Sequence, residues 1–425
     1  MIIRRFRYMF LLIAGVVATD TRGENPEDGN GYWPQFCGPT RNLISPDTGL
    51  LNKWPPEGPP LIWKVDGLGH GFSAISVSDG LIFTQGYFGE EEKVIALAED
   101  VGTQVWAAVA SPVVDVQFPG SRSTPTVDGD YLYVETVGGT VACLEKRTGR
   151  EIWSRDLIKD FQGTRNSFGY CESVLVDGDK IICTPGGKDA ALVALDKESG
   201  DTVWKSPVPP FGYEGANQAS YASPILAAPG GVSQYIQFLY GGVVGVRASD
   251  GVFLWSESSS ANRGTNISTP VYHDGHVFSA SSYGIGGALV RLVSNANTTS
   301  VQLVYHTLQM KSHHGGFLYW DGYIYGTDES ILTCLNFLTG EVAWEERSVG
   351  KGSVVFAEGH VYLRGEGGGV ALFEATPEGY REKGRFDQPH RSQTHAWAYP
   401  VVTGGRLYLR DQDVLLCYNL RAQPK

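Results

Sequence analysis

The chain has 425 residues, with 34 lysines and arginines against 46 aspartates and glutamates, so its formal net charge at pH 7 is −12. No basic stripe interrupts this acidic balance, which argues against nucleic-acid binding and against tight binding to anionic lipid. A length of 425 residues is long for one domain, but a repeat domain reaches it by adding copies of one unit.

The N-terminus has the pattern of an export signal. Three arginines among the first seven residues precede an apolar run over residues 9–18, which is too short to span a bilayer. This pattern predicts a secretory signal peptide over residues 1–18 and export to the periplasm or the extracellular space, by either the general or the twin-arginine route. Cys37 lies too far from the apolar run for lipoprotein processing, and no other segment is a transmembrane candidate.

Residues 19–60 are rich in proline and glycine, with scattered aromatic side chains and no periodicity. This composition predicts an N-terminal arm that packs on the following domain rather than a second domain. A docking segment for a partner is the functional alternative.

The rest of the chain repeats one eleven-residue segment. In the clearest copy, residues 194–204, an apolar pair precedes a polar turn that contains Gly200, and Trp204 follows four residues later. Because glycine adopts a positive φ without a Cβ penalty, the segment predicts a tight hairpin between two strands. The other copies are residues 96–106, 143–153, 245–255 and 334–344.

A second marker divides each unit into four strands. Short β-rich runs flank an Asp-Gly turn or its equivalent, as at Asp128 and Gly129. The tryptophans recur at intervals of about 40 to 50 residues, which is the size of a propeller blade. We expect Tyr305 and Phe386 to replace the tryptophan in two units.

Eight first strands can be counted, from one near Phe72 to one near Ala398. The eighth unit lacks its fourth strand, and a spare tryptophan strand lies at residues 61–65. We therefore predict an all-β, eight-bladed β-propeller over residues 61–421 with four-stranded blades, in which the N-terminal strand completes the last blade and closes the ring. The tryptophans are expected to act as wedges between neighbouring blades.

The repeated segment resembles the tryptophan-docking repeat of the quinoprotein, or PQQ-like, β-propellers. This family includes PQQ-dependent alcohol dehydrogenases and non-enzymatic members such as BamB, the propeller of the outer-membrane β-barrel assembly machinery. The length and the segment around Trp33 and Cys37 look most like exported BamB-like proteins of planctomycete-type bacteria. The resemblance implies either a scaffold protein of the cell envelope or a PQQ-dependent oxidoreductase.

The loops that lead into the first strands are expected to converge at one mouth of the central channel, where a ligand would bind. Their many polar side chains suit an anionic or polyhydroxyl ligand, although solvation alone would also make such loops polar. The candidate ligand-binding residues are Arg122, Arg165, Asn166, Arg263, Asn266, His313, His314 and His395, and the same loops carry His70, Asn217, Gln218, Thr265 and Lys351.

No metal site and no catalytic residue is assigned. His313 and His314 are adjacent, and adjacent residues on a strand point to opposite faces. The acidic run over residues 90–92 is predicted to be a solvated loop, and the glycine-rich residues 365–369 are predicted to be a hairpin turn.

For a PQQ dehydrogenase, the resemblance implies a Ca²⁺ held by glutamate and asparagine, a catalytic aspartate, a tryptophan floor and a disulfide between adjacent cysteines. Glu172, Asn166 and Trp397 could stand in for three of these groups. The chain has no adjacent cysteine pair and no Cys-x-x-Cys-His haem sequence. No cofactor is required by the sequence, and PQQ with calcium stays a possible one.

Six cysteines leave the disulfide pairing open. Cys143, Cys334 and Cys417 occupy equivalent positions in separate units, so they are expected to be small buried core residues. Cys171 and Cys183 are expected on adjacent strands of one hairpin and are the only plausible pair within one blade.

These observations favour an exported binding or scaffold protein that resembles BamB. We expect it to be a monomer that binds an envelope protein partner or a small polar ligand. A PQQ-dependent alcohol or sugar oxidoreductase and a carbohydrate-binding propeller are the alternatives.

Overall fold

The strands of the computed structural model, which describes residues 31–213, 217–295 and 298–422, form eight blades in a ring. This architecture confirms the predicted eight-bladed β-propeller. The described residues include no helix that is long and apolar enough to cross a membrane. The predicted signal peptide lies outside the described residues.

Two short strands precede the first blade: β1 (Ile44–Ser45) and β2 (Leu61–Val65). Blade 1 consists of β3 (Ser76–Ser78), β4 (Leu81–Phe88), β5 (Glu91–Ala98) and β6 (Gln104–Pro112). Blade 2 consists of β7 (Thr126–Asp128), β8 (Tyr131–Glu135), β9 (Thr140–Glu145) and β10 (Glu151–Asp156), followed by helix α1 (Leu157–Phe161). Blade 3 consists of β11 (Leu175–Asp177), β12 (Lys180–Cys183), β13 (Leu192–Asp196) and β14 (Thr202–Ser206). Blade 4 consists of β15 (Ile225–Ala227), β16 (Gln234–Leu239), β17 (Gly242–Arg247) and β18 (Phe253–Glu257), with a 3₁₀ turn at Pro229–Gly231.

The second half of the ring repeats this order. Blade 5 consists of β19 (Val271–His273), β20 (His276–Ser281), β21 (Gly286–Ser294) and β22 (Thr299–Thr307). Blade 6 consists of β23 (Phe317–Trp320), β24 (Tyr323–Asp328), β25 (Ile331–Asn336) and β26 (Val342–Glu346). Blade 7 consists of β27 (Gly352–Ala357), β28 (His360–Gly365), β29 (Gly369–Glu374) and β30 (Glu382–Asp387). Blade 8 consists of β31 (Val401–Thr403), β32 (Arg406–Asp411) and β33 (Val414–Asn419), together with β2.

The ring is closed by the N-terminal strand, as predicted. Strand β2 pairs antiparallel with β33, and Trp63 lies opposite Cys417. Because β2 lies in the blade formed by the C-terminal strands, the first and last parts of the propeller sequence share one sheet. This pairing removes the open seam that an incomplete blade would leave.

The fourth-strand aromatic residues dock on the next blade. Trp153 packs against Gly200, whose φ is +74°, and its indole N–H donates to the carbonyl oxygen of Lys197 at 3.1 Å. Trp106 makes the same hydrogen bond to Lys146, and Tyr305 donates its hydroxyl to Phe337. Each ring therefore covers a turn of the neighbouring blade, as the wedge prediction requires.

Blade 7 departs from the repeat. In its strand register, Gly384 occupies the tryptophan position, opposite Leu372. Phe386 still docks, since its ring lies against Gly58, but it stands two residues further along the strand. Trp54 of the N-terminal segment fills the vacated space and contacts Phe386 at 5.5 Å between ring centroids.

The N-terminal segment crosses the central channel. Trp33 pairs with Val77 of blade 1, and β1 pairs in parallel with β27 of blade 7. Between these points, the guanidinium of Arg41 is buried and donates to the carbonyl oxygens of Ser173 and Val174 in blade 3. Because blades 3 and 7 lie on opposite sides of the ring, the segment spans the channel between them.

Buried polar side chains link neighbouring blades near the second strands. Gln85 of blade 1 donates to the carbonyl oxygen of Ser123 before blade 2, and Gln237 of blade 4 donates to the carboxylate of Glu172 at 2.8 Å. Arg364 and Arg410 are fully buried and donate to backbone carbonyl oxygens of the following blade. These bonds satisfy polar groups that the ring shields from water.

Between blades 2 and 3, two buried carboxyl groups meet beside a thiol. The carboxyl oxygens of Glu135 and Glu172 and the sulfur of Cys183 all lie within 4.8 Å of one another. Burial raises the pKa of Glu172 to about 7 and raises that of Glu135 well above its usual value, to which the charge of Glu172 also contributes. Glu92 is also fully buried, so the prediction of a solvated acidic loop is wrong for this residue.

The docking glycines are expected to tolerate a side chain poorly. A Cβ added at Gly200 would lie 2.7 Å from the Trp153 ring, whereas Gly129, with a φ of +56°, has nothing within 4 Å of that position. Both alanine variants bear the backbone cost of positive φ, but Gly200→Ala must also displace an indole. We expect its free energy of unfolding in urea to fall about 1–3 kcal/mol further than that of Gly129→Ala. Equal losses would contradict the docking role.

The buried carboxyl pair is expected to make stability depend on pH. A folded-state pKa above the unfolded value of about 4.3 means that stability is fullest below that value and is lost as pH rises toward about 7. Glu135→Gln removes one of the two ionising groups. Between pH 5 and pH 8, the variant should therefore lose less free energy of unfolding than the wild type, by on the order of 1–3 kcal/mol. The exposed Glu198→Gln is the matched control, and an unchanged pH profile in Glu135→Gln would refute the assignment.

Candidate functional site

A cavity of about 310 Å³ opens at one mouth of the channel. Each of the eight loops that connect one blade to the next contributes to its lining. Phe36 of the N-terminal segment also lines it and packs edge-on against Tyr399 at 5.0 Å. The cavity is therefore shaped by the whole ring and by the segment that crosses the channel.

Aromatic side chains form the part of the wall that comes from blades 1 to 4. The rings of Phe72, Phe118, Phe168 and Tyr221 lie in successive interblade loops. Arg122 stands over two of them, with its guanidinium carbon 5.1 Å from the Phe72 ring centre and 5.7 Å from that of Phe168. Its Nε donates to the carbonyl oxygen of Phe168 at 3.0 Å, which fixes the side chain against the wall.

Glu366 is the centre of the polar part of the wall. Its Oε1 lies 3.0 Å from the ammonium of Lys351, and its Oε2 accepts from the indole N–H of Trp397 at 3.1 Å. The same oxygen lies 3.2 Å from Nε2 of His314 and 3.8 Å from Nδ1 of His395. The ring of His395 in turn stacks on Trp397, with 5.1 Å between centroids and 11° between planes.

The surroundings of Glu366, His313 and His314 determine which of these three side chains is ionised at pH 7. Burial would raise the pKa of Glu366, but hydrogen bonds from His314, Trp397 and Lys351 outweigh it and hold the pKa well below its usual value. Burial and the nearby Lys351 lower the pKa of His313 to about 4, and burial also lowers that of His314 despite Glu366. Both histidines are therefore neutral at pH 7, beside an ionised Glu366.

The structure brings together four of the eight candidate ligand-binding residues. Arg122, His313, His314 and His395 line the cavity, as do Lys351 and Thr265 from the same loops. His313 and His314 lie in a loop rather than on a strand, so they line one cavity and do not point to opposite faces as a strand would require. Nε2 of His313 lies 2.8 Å from the hydroxyl of Tyr283.

The other four candidates do not line this cavity. Asn266 is fully buried and donates to the carbonyl oxygens of Leu239 and Tyr240. Asn166 donates to the carbonyl oxygen of Ala219, so both amides hold loops in place. Arg165 is exposed, and the exposed Arg263 lies over the Tyr213 ring. His70, Asn217 and Gln218 also lie outside the lining.

Two central residues, Glu366 and Tyr283, were not among the candidates. Both lie in loops between the second and third strands of their blades, at residues 366–368 and 282–285. In an up-and-down blade these loops open at the same end as the interblade loops, so strand order could have found them. The prediction of a plain hairpin turn over residues 365–369 missed the carboxylate for this reason.

The cysteines are all free thiols in the described structure. Cys143, Cys334 and Cys417 are fully buried, as expected of core residues. Cys171 lies in the loop before β11 and lines the cavity, whereas Cys183 lies beside Glu172, and the plausible pair within this blade is not formed.

A family model described as outer membrane protein assembly factor BamB matches residues 90–346, more than half of the chain. A protein of Shewanella oneidensis with the same name is 25% identical over 240 residues, which are 55% of this chain and 54% of that protein. The chain thus spans about half the length of the curated relative that it matches.

Two solved structures of quinohemoprotein alcohol dehydrogenases have a similar fold. The enzyme from Pseudomonas putida is 15% identical with a TM-score of 0.64, and the match covers 93% of this chain and 81% of that one. The enzyme from Comamonas testosteroni is 12% identical with a TM-score of 0.61, over 92% and 81% of the two chains. At these identities the likeness shows the shared fold alone. The family match over more than half of the chain shows that this protein belongs to the PQQ-like repeat family of β-propellers described as outer membrane protein assembly factor BamB.

Proposed function

We propose that this protein is a binding or scaffold propeller of the cell envelope, which holds its ligand or partner at the channel mouth and catalyses no redox reaction. The proposal depends on how the carboxylate of Glu366 is held in the cavity wall. Among the cavity-lining residues that the structure describes, it is the one carboxylate, and it is held by Lys351, Trp397 and His314. A carboxylate fixed in this way positions a ligand but is a poor proton acceptor, because its pKa is held low.

The rest of the cavity is also suited to binding. Aromatic rings cover much of its wall, and a few polar groups are fixed by hydrogen bonds. Concave sites that are mostly apolar with a few placed polar groups are typical of ligand pockets. Because Glu366 and Arg122 are already held in place, little side-chain entropy is lost when a ligand binds.

The residues of the cavity do not fit PQQ with calcium. Ca²⁺ takes six to eight oxygen ligands. Glu366 is the only carboxylate among the described lining residues, and an ammonium lies 3.0 Å from it. Glu172 and Asn166, the two residues that could stand in for calcium ligands, lie outside the lining, and Glu172 is buried between blades with its Oε1 accepting from the Thr184 amide. Trp397 lines the cavity, but His395 stacks on its ring.

The location in the envelope rests on two supports. The N-terminal sequence has the pattern of a secretory signal. The family match is to an outer membrane protein assembly factor, which supports a protein partner from the same compartment. We therefore propose an exported protein, periplasmic or extracellular, that works as a monomer with an envelope protein partner.

PQQ with Ca²⁺ is expected to leave the thermal stability of the purified mature protein unchanged relative to Ca²⁺ alone. A ligand at a hundredfold excess over its Kd would add about 2.7 kcal/mol to the free energy of unfolding, which is an easily measured shift of Tm. A PQQ-dependent alcohol dehydrogenase freed of its cofactor is the positive control. A clear upward shift, together with alcohol oxidation, would contradict the proposal.

The partner is expected at the channel mouth rather than on the rim of the blades. A photo-crosslinking phenylalanine analogue at position 118, in a loop of the mouth, should give a discrete adduct in the native envelope, identified by mass spectrometry as an envelope protein. The same analogue at Tyr131, which begins β8, is the matched control because it lies in the neighbouring blade outside the cavity. Adducts of equal yield at both positions, or at neither, would contradict this placement.

A further inference from the structure

Two exposed aromatic residues at the mouth have an unusual backbone conformation. Phe118 is 48% exposed with a φ of 53°, and Tyr283 is 61% exposed with a φ of 57°. They are the only phenylalanine, tyrosine or tryptophan residues with positive φ in the described parts of the chain. Positive φ is unfavourable for a residue with a Cβ, and such strain clusters at ligand sites.

These two rings extend the aromatic wall to the surface. Phe118 packs edge-on against Trp397 at 5.1 Å and lies 6.1 Å from Phe168, so it continues the wall from blades 1 to 4. Tyr283 packs against His313 at 5.1 Å on the other side. Flat apolar rings at both edges of the mouth offer surfaces on which the C–H faces of a ligand ring can pack.

The polar part of the cavity wall presents a hydrogen-bond acceptor and a hydrogen-bond donor side by side. The Oε1 of Glu366 and the ammonium of Lys351 are 3.0 Å apart. A carboxylate offers about four acceptor positions, of which Lys351, Trp397 and His314 occupy three, so one position remains, on Oε1. An ammonium has three donors, so Lys351 also keeps hydrogen-bonding capacity after pairing with Glu366. Two adjacent hydroxyl groups match such a pair, because one donates to the carboxylate while its neighbour accepts from the ammonium.

A groove of about 530 Å³ adjoins the cavity and shares Tyr283, His313, Lys351 and Glu366 with it. It continues along the loops of blades 6 and 7, where Glu329, Ser330 and Gly367 line it. The ligand site is therefore longer than one small ring, and its polar pair lies where the cavity and the groove meet.

Other ligand classes fit these features less well. A cationic ligand would be repelled by Lys351 and Arg122, which both line the cavity. A purely apolar ligand would strip water from the Glu366–Lys351 pair without replacing its hydrogen bonds, which is costly. A ligand with apolar faces and adjacent hydroxyl groups satisfies both parts of the wall.

We infer that the channel-mouth cavity binds a sugar ring of a glycan, with further rings of the chain in the adjoining groove. The inference rests on the proposed function, which it deepens by naming the ligand class. The rings of Phe118 and Tyr283 hold the faces of the sugar, and the Glu366–Lys351 pair binds two adjacent hydroxyl groups.

The test is isothermal titration of the purified mature chain with a panel of soluble tetrasaccharides built from glucose, xylose, N-acetylglucosamine or galacturonate. At least one tetrasaccharide should bind with a Kd below about 1 mM. Glu366→Gln and Tyr283→Asn should each weaken that binding at least tenfold. Asparagine tolerates positive φ, so Tyr283→Asn should keep or raise the Tm.

The matched control is Tyr131→Asn, which removes a half-exposed tyrosine outside the cavity and should leave affinity unchanged. If the folded wild-type protein binds none of the tetrasaccharides, the inference is overturned. It is also overturned if Glu366→Gln and Tyr283→Asn, with the Tm of the wild type, bind the tetrasaccharide as tightly as the wild type does. These results are independent of the PQQ titration. A protein that binds neither PQQ nor glycan but crosslinks an envelope partner at position 118 would refute the glycan and leave the scaffold role standing.

Discussion

The propeller depends on one repeated contact, in which an aromatic side chain of one blade packs against a glycine turn of the next blade. It joins neighbours only, as Trp153 does with Gly200, so no blade is secured until both of its neighbours are in place. The last blade can therefore be completed only by a strand from the N-terminal part of the chain. Strand β2 supplies the fourth strand of blade 8, and Trp54 fills the space beside Gly384 where the repeat lacks its tryptophan.

The same closure builds the site. The N-terminal segment that spans the channel between blades 3 and 7 also brings Phe36 to the wall of the cavity. All eight interblade loops then face one small volume, with aromatic rings from one half of the circle and the Glu366 cluster from the other. A binding site with one aromatic half and one polar half is thus formed by a fold whose repeats are nearly uniform.

The sequence was sufficient for the blades and their closure, because each unit carries its own turn glycine and aromatic residue and the spare strand at Trp63 matched the missing one. It was insufficient for the site. Polar loop residues such as Asn266 and Asn166 proved to bond backbone carbonyls, which residue type alone does not reveal. Glu366 stood in a glycine-rich turn whose importance depends on which end of the blade it occupies.

The most direct measurement is of what the protein carries when it is purified from its native host without denaturation. Native mass spectrometry and the ultraviolet-visible spectrum report both the mass and the chromophore of anything held at the channel mouth. We predict the mass of the mature chain, alone or with a bound polyhydroxyl ligand, and no quinone absorbance. One PQQ and one Ca²⁺ per chain would contradict this prediction, because the lining residues in the described part of the chain offer such a cofactor a single carboxylate, which is already paired with Lys351.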